Sequence, residues 1–242
     1  MSKSQGSSSN GGLQTALQKP PQELEENIFL FVPNLIGYSR VFLAAASLYY
    51  MKQHPITCFI LYSISCLLDA LDGYFARSLN QATKFGAVLD MVTDRCTTSC
   101  LLCYLASAYP QFAVIGMGLI SLDLASHYMH MYASLESGSK SHKLVDQKRS
   151  KILNLYYSNN KVLFLFCACN ELFFLSVYLL AFPRLRDQWW PWVAAVITAP
   201  LCFGKQVISV VQMVKAAHVL AEGDLEARRK QGLVGSAGKR GD

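Results

Sequence analysis

Four aspartates stand at places where an otherwise apolar chain has least use for charge. Asp69-Ala70-Leu71-Asp72-Gly73-Tyr74-Phe75-Ala76-Arg77 closes one apolar segment, and Gly86-Ala87-Val88-Leu89-Asp90-Met91-Val92-Thr93-Asp94 opens the next. The spacings are i, i+3 and i, i+4, so each pair occupies one face of a helix. The connection between the segments is short, which makes the helices antiparallel neighbours whose acidic faces meet at similar depth. An ionisable group at the centre of a bilayer helix costs about 2.5–3.5 kcal/mol, and less near an end. Four carboxylates packed together also repel one another, and Arg77 and Arg95 are too few to neutralise them. Two hard dications, Mg²⁺ or Mn²⁺, suit clustered carboxylate oxygens. Such a pair, about 3.5–4 Å apart, clamps a phosphate and stabilises both its entering and leaving oxygens. Gly73 and Ala76 share the Asp69 face and Gly86 shares the Asp90–Asp94 face, which leaves room for a bulky pyrophosphate. Two other readings are a purely structural polar seam between helices and a divalent-cation carrier. A carrier has no need of Arg77 and two glycines beside the acids.

The elements that must hold these residues are apolar. Of 242 residues, 52% are hydrophobic and only 16% charged, and the mean hydropathy is positive. Soluble domains carry about 25% charged residues, so the composition selects a bilayer as solvent. Six segments approach the roughly 20 residues that span a membrane: 35–51, 56–75, 86–108, 112–135, 162–182 and 189–214. The sequence therefore predicts an all-α integral membrane domain with six transmembrane helices. Residues 27–32 are too short to span and read as an N-terminal interfacial helix. Pro33-Asn34, His54-Pro55, Tyr109-Pro110 and Pro183 punctuate the segments. Residues 1–22 read as a disordered tail without a signal peptide, 23–222 as the membrane domain and 223–242 as a basic tail.

Basic residues cluster after segments two and four: Arg77, Lys84, Lys140, Lys143, Lys148, Arg149, Lys151 and Lys161. The opposite side carries Lys52, Arg184 and Arg186. By the positive-inside rule both tails and the acidic pairs face the cytosol. A net charge of +6 suits anionic lipid and phosphate, and no aromatic-basic interleaving of a nucleic-acid module is present. Cys100-x-x-Cys103 has no second pair at ligand spacing, so the cysteines read as small apolar helix residues.

The pattern Asp69-x2-Asp72-Gly73-x2-Ala76-Arg77-x8-Gly86-x3-Asp90-x3-Asp94 matches, at every fixed position, the signature of the CDP-alcohol phosphotransferase family, which the chain resembles. That resemblance implies a six-helix membrane enzyme, homodimeric, with a cytosol-facing site for a CDP-linked donor. It implies that Asp69, Asp72 and Asp90 hold metal, and that Asp94 lies near the second metal and acts as base. It further implies that Gly73, Ala76 and Arg77 line the nucleotide and pyrophosphate. Residues 29–38, 79–86, 141–143 and 170–173 and the run Ser126-His127-Tyr128-Met129-His130-Met131-Tyr132 resemble the phosphatidylinositol-forming branch of the family. For that branch the donor is CDP-diacylglycerol, the acceptor myo-inositol, the leaving group CMP and the location the endoplasmic reticulum membrane. Another acceptor, such as glycerol 3-phosphate or serine, is the alternative within the family.

A polyol needs several converging donors and acceptors. Ser126, His127, His130, Tyr132, Lys143 and Lys205 are the candidates for it, although the histidines could instead bind zinc or close the helix bundle. Lys205, flanked by Gly204 and Gln206 in segment six, needs phosphate, substrate or Glu171 as its partner. Asn34 reads as a cap of the first segment and Arg40 as a side chain that snorkels to its end.

Overall fold

The computed structural model of the protein describes residues 26–139 and 160–233. Lys143, the basic loop around it and most of both predicted tails lie outside the described residues. Among these residues the fold is six long helices: α1 (Val32–Tyr50), α2 (Pro55–Ser78), α3 (Lys84–Ala108), α4 (Ala113–Ser139), α5 (Asn160–Leu180) and α6 (Trp189–Lys230). Pro33, Pro55 and Trp189 begin their helices much where the apolar segments start, since proline tolerates the first turn and its missing N–H costs nothing there. Residues 28–30 form only a 3-10 turn, held by the Asn27 side chain accepting from Phe29 N. A single helical turn, Pro183–Arg186, separates α5 from α6.

Four of the six long helices are long and apolar enough to cross a membrane: α2, α4 with its preceding turn, α5 and α6. α1 and α3 fall short because each spends positions on polar groups. α1 carries Asn34, Ser39, Arg40 and Ser47, and α3 carries Asp90, Asp94, Arg95 and a run of threonines. The hydroxyls of Thr93 and Thr97 return to carbonyls one turn back on their own helix, at 2.7 Å each, as a bilayer requires. Phe42, Tyr49, Val114, Trp189 and Phe203 point outward with most of their surface exposed. That arrangement suits lipid rather than water.

The sequence ends its last span near 214, yet α6 continues to Lys230 and so passes through the start of the predicted basic tail at 223. Ala216, Ala217, Leu220, Ala221, Glu222, Leu225, Glu226 and Ala227 are strong helix formers, and nothing stops the helix before Gly232 at φ 70°. At ~1.5 Å per residue α6 is about 60 Å long, twice the ~30 Å hydrocarbon thickness.

Helix α1 packs on α2 and α3, α4 on α3 and α6, and α5 on α2, α3 and α6. The apolar core lies at the end away from the acidic pairs, where Cys58, Tyr62, Leu101, Phe174, Tyr178 and Leu179 meet. Tyr178 donates to the Met51 carbonyl at 2.6 Å and so closes the end of α1 against α5. Cys96, Cys100 and Cys103 are exposed along α3 as free thiols.

Candidate active site

The site end is built by one tight connection. α2 ends in a Schellman turn, with Asn80 in the left-handed region (φ 54°) and Gln81 N donating to the Ala76 carbonyl at 3.0 Å. Asparagine tolerates that conformation where a bulkier residue would not. The Gln81 side chain accepts from Val32 N at 3.0 Å, which ties the start of α1 to the connection. Thr83 then caps α3, its hydroxyl accepting from Gly86 N at 3.0 Å. Both acidic pairs are thereby fixed within a few turns of one short loop.

The structure brings all four aspartates to one point, and the residue that gathers them is Arg40. Its Nη1 lies 2.5 Å from Asp72 and 2.6 Å from Asp90, and its Nη2 lies 2.5 Å from Asp69 and from Asp94. Arg40 is 1% exposed, so the snorkelling predicted for it is wrong. It stands two turns inside α1 on the face packed against α2 and α3, and its guanidinium is taken up by the four aspartates there rather than by the interface. Asn34 is not an N-cap either. The N-cap position falls to Phe31, and the Asn34 side chain donates back to the Ile28 carbonyl at 2.6 Å.

Arg40, with Arg95 at 3.4 Å from Asp94, does not balance four carboxylates, and dications can fill the deficit. The carboxylate oxygens of Asp69, Asp72 and Asp90 approach within 4.8 Å of one another, and this all-oxygen donor set fits Mg²⁺ or Mn²⁺. Asp69 and Asp90 keep 39% and 47% of their side chains exposed, so a cation can reach them.

Against this centre opens a cavity of about 200 Å³. Asp72, Gly73, Ala76, Arg77, Gly86 and Asp90 line it, together with Asn34 and Gln81 from the neighbouring segments. A Cβ on Gly86 would lie 2.8 Å from Asn34 Oδ1 and 3.2 Å from Thr83 Oγ1, so any side chain there would have to displace the Asn34 amide. The Arg77 guanidinium folds over Gly73, with Nη1 at 3.4 Å from where its Cβ would be.

The remaining candidates divide. His127 joins the centre through Arg95, whose Nη1 lies 3.5 Å from His127 Nε2 and whose Nη2 lies 3.4 Å from Asp94 Oδ2. Ser126 is fully buried, and its hydroxyl donates to the Asp123 carbonyl within α4. Tyr132 is exposed and lines a separate cavity with Glu136, Leu220, Gly223 and Asp224. His130 is partly buried one turn past Ser126. Lys205 is buried, with its Nζ donating to Ser209 Oγ at 3.0 Å. The alternative partner Glu171 bonds Tyr62 and Thr98 instead.

The fold and this centre together define an all-helical protein with four helices fit to cross a membrane and an acidic cluster that could hold a metal ion. The chain belongs to the CDP-alcohol phosphatidyltransferase family, whose pattern matches residues 30–199. It is also similar over most of its length to individual members. A Schizosaccharomyces pombe protein named CDP-diacylglycerol–inositol 3-phosphatidyltransferase is 52% identical over 227 residues, covering 86% of this chain and 96% of that one. The Saccharomyces cerevisiae protein of the same name is 47% identical over 207 residues, covering 85% and 92% respectively. The human protein of that name is 45% identical over 215 residues, covering 86% and 99%. No solved structure matches the chain.

Proposed function

We propose that the protein transfers the phosphatidyl group of CDP-diacylglycerol to myo-inositol and releases CMP. The observation that carries this reading is a cavity rich in small residues that Asp72 and Asp90 line, at the edge of the four-carboxylate cluster gathered by Arg40. The relatives' name supplies the donor and the acceptor.

Each residue then has a task. Gly73, Ala76 and Gly86 keep the cavity wall low enough for the donor's nucleotide and pyrophosphate, and Arg77 neutralises phosphate oxygens. Asp69, Asp72 and Asp90 would hold two Mg²⁺ or Mn²⁺ ions, with Asp94 a further carboxylate available to them. When bound, such ions supply Lewis-acid stabilisation of charge on the phosphate oxygens. Asp94 accepts the proton of one inositol hydroxyl, which is otherwise far too weakly acidic to attack. The hydroxyl oxygen forms a bond to the phosphorus that bears diacylglycerol. The bridging P–O bond of the pyrophosphate breaks, and CMP leaves with the electron pair. His127 and Lys205 meet the acceptor. The diacylglycerol tails stay in lipid, which is why such a centre belongs at the membrane face.

The reading extends to the setting. All six long helices cross the membrane, α1 and α3 doing so with polar residues such as Arg40, Ser47, Thr93, Thr97 and Thr98 buried against other helices, and residues 28–30 lie in the interface through exposed Ile28, Phe29 and Leu30. The site and both termini face the cytosol of the endoplasmic reticulum membrane, and the protein works as a homodimer.

Purified protein supplied with CDP-diacylglycerol, Mn²⁺ and labelled inositol should yield labelled lipid and CMP in equal amounts. Replacing inositol with serine or glycerol 3-phosphate should not. Absence of labelled lipid, or equal turnover with either substitute, defeats the assignment.

A further inference from the structure

Next to the aspartate centre stands a second group of charges, of which the transfer step gives a task to His127 and Lys205 but none to Arg95 or Asp123. Arg95 reaches from α3 to α4, where its Nη1 lies 2.5 Å from Asp123 Oδ1. One turn on, His127 holds Nδ1 at 2.8 Å from the Asp123 carbonyl and Nε2 at 3.5 Å from Arg95. A neutral ring protonated on Nδ1 satisfies both contacts, donating to the carbonyl and accepting from the guanidinium. Lys205, buried on α6, is within electrostatic range of both Arg95 and Asp123.

A structural ion pair inside a bundle uses up its donors and acceptors, because a buried polar atom left unpaired is costly. This group does not. Asp123 Oδ2 and Arg95 Nε are buried with no hydrogen-bond partner. Ser209 accepts one of the three N–H bonds of Lys205. An unused carboxylate oxygen beside unused cationic donors is the complement of a ligand whose groups both donate and accept, as the hydroxyls of a ring polyol do.

We propose that Asp123, with Arg95 and Lys205, forms the polyol-binding half of the site. Asp123 Oδ2 accepts a hydrogen bond from one acceptor hydroxyl, while Arg95 and Lys205 donate to the oxygens of others. The proposal rests on the reading of the acceptor as inositol and names the residues that select it. Arg95 sets the register. It touches Asp123 on one side and Asp94 on the other, so a ring held by the first presents another hydroxyl to the second. An alcohol lacking ring hydroxyls leaves Asp123 Oδ2 unpaired, and sites built on buried hydrogen bonds reject such analogues strongly.

The test is steady-state kinetics of the full chain in lipid–detergent micelles with Mn²⁺, comparing wild type with Asp123→Ala and Lys205→Met. Inositol is varied at saturating CDP-diacylglycerol, and the lipid is varied at saturating inositol. Asp123→Ala should raise the KM for inositol ~10-fold or more, with the KM for CDP-diacylglycerol within about twofold and kcat falling far less than kcat/KM. Among monodeoxy-inositols, one should lose ~10-fold against wild type and nothing further against Asp123→Ala. A CDP-diacylglycerol-dependent rise in unfolding temperature reports that the variant is folded. Should Asp123→Ala lack that rise, the inositol KM of Lys205→Met decides in its place. An unchanged inositol KM overturns the proposal. So does a fall in kcat alone, which is what a residue that merely props Arg95 against Asp94 would give. A wild type that does not use inositol overturns the functional reading and this one together. A wild type that uses it beside a normal Asp123→Ala overturns this one alone.

Discussion

Glu171 and the four aspartates are carboxylates of the same helix bundle, and their partners differ in kind. Glu171 is closed off by neutral donors. Tyr62 reaches Oε2 at 2.7 Å, while Thr98 and Asn170 reach Oε1 at 3.1 and 3.3 Å. Those bonds tie α5 to α2 and α3. Asp69, Asp72, Asp90 and Asp94 instead share one guanidinium, and each contributes a single oxygen to it. A carboxylate offers about four lone-pair positions, so the aspartates keep most of their capacity free. Glu171 therefore reads as a structural tie, and the aspartate group as a receptor for cations. Depth explains the division. Asp69 and Asp90 sit beside the short loop after α2 and are reached from outside, whereas Glu171 meets the buried Tyr62 hydroxyl in the interior.

The largest expected effect separates proton transfer from charge balance. Asp94→Asn should lower kcat ~10²- to 10⁴-fold, the usual contribution of a positioned base. Its unfolding temperature should stay near that of wild type, since the amide oxygen can still face Arg40. A variant that keeps a tenth of its turnover would remove Asp94 from the proton's path. Arg40→Met comes next. It leaves four acids without their shared cation, at a cost of about 3–5 kcal/mol for a broken buried ion pair. Thermal unfolding in chelator should show that loss, and Mn²⁺ should restore more of it in Arg40→Met than in wild type. Equal stability of both proteins in chelator would break the view of Arg40 as the counter-charge.

Much of the acidic centre was readable from spacing alone, because i, i+3 and i, i+4 pairs beside a short loop leave little freedom. Helix starts were also legible at Pro33, Pro55 and Trp189. What could not be read is rotation of each helix about its own axis. In a soluble helix a polar face marks the outside, but here lipid and core are both apolar and neither face is labelled. Arg40 was therefore placed at the interface although it faces α2 and α3. Asp123 passed unremarked in segment four, and Glu171 was weighed only as a partner for Lys205. The usable signal was the ionisable group itself, since a charge in an apolar segment marks a function or a buried partner. The extension of α6 past 214 was missed for another reason. Polarity marks the end of an apolar segment but not of a helix, since Ala, Leu, Glu and Arg continue a helix in water as readily as in lipid.

Glu171→Gln sharpens the comparison from the structural side. The glutamine keeps one acceptor oxygen but turns an NH2 group toward donors, so about 1–3 kcal/mol of stability should be lost. Unlike the loss in Arg40→Met, it should be the same in chelator and in Mn²⁺, and kcat should hold. Metal-dependent rescue of this variant would place Glu171 among the cation's ligands and erase the distinction.

The smallest effect lies at the joint that holds the open carboxylates in place. Thr83 caps α3 about two turns before Asp90, and its hydroxyl also stands 3.2 Å from where a Gly86 Cβ would be. Thr83→Ala removes the cap at a cost of about 1 kcal/mol, confined to the first turn. Backbone exchange at Gly86 and Ala87 should therefore quicken roughly fivefold, while amides around Tyr62 and Tyr178 stay unchanged. The KM for CDP-diacylglycerol should rise a little, because Gly86 lines the cavity, and Asp94-dependent kcat should not follow it. If exchange quickened equally at both ends of the bundle, the site end would not be a separately adjustable unit. The contrast between open and closed carboxylates would then reflect one cooperative fold rather than two differently built regions.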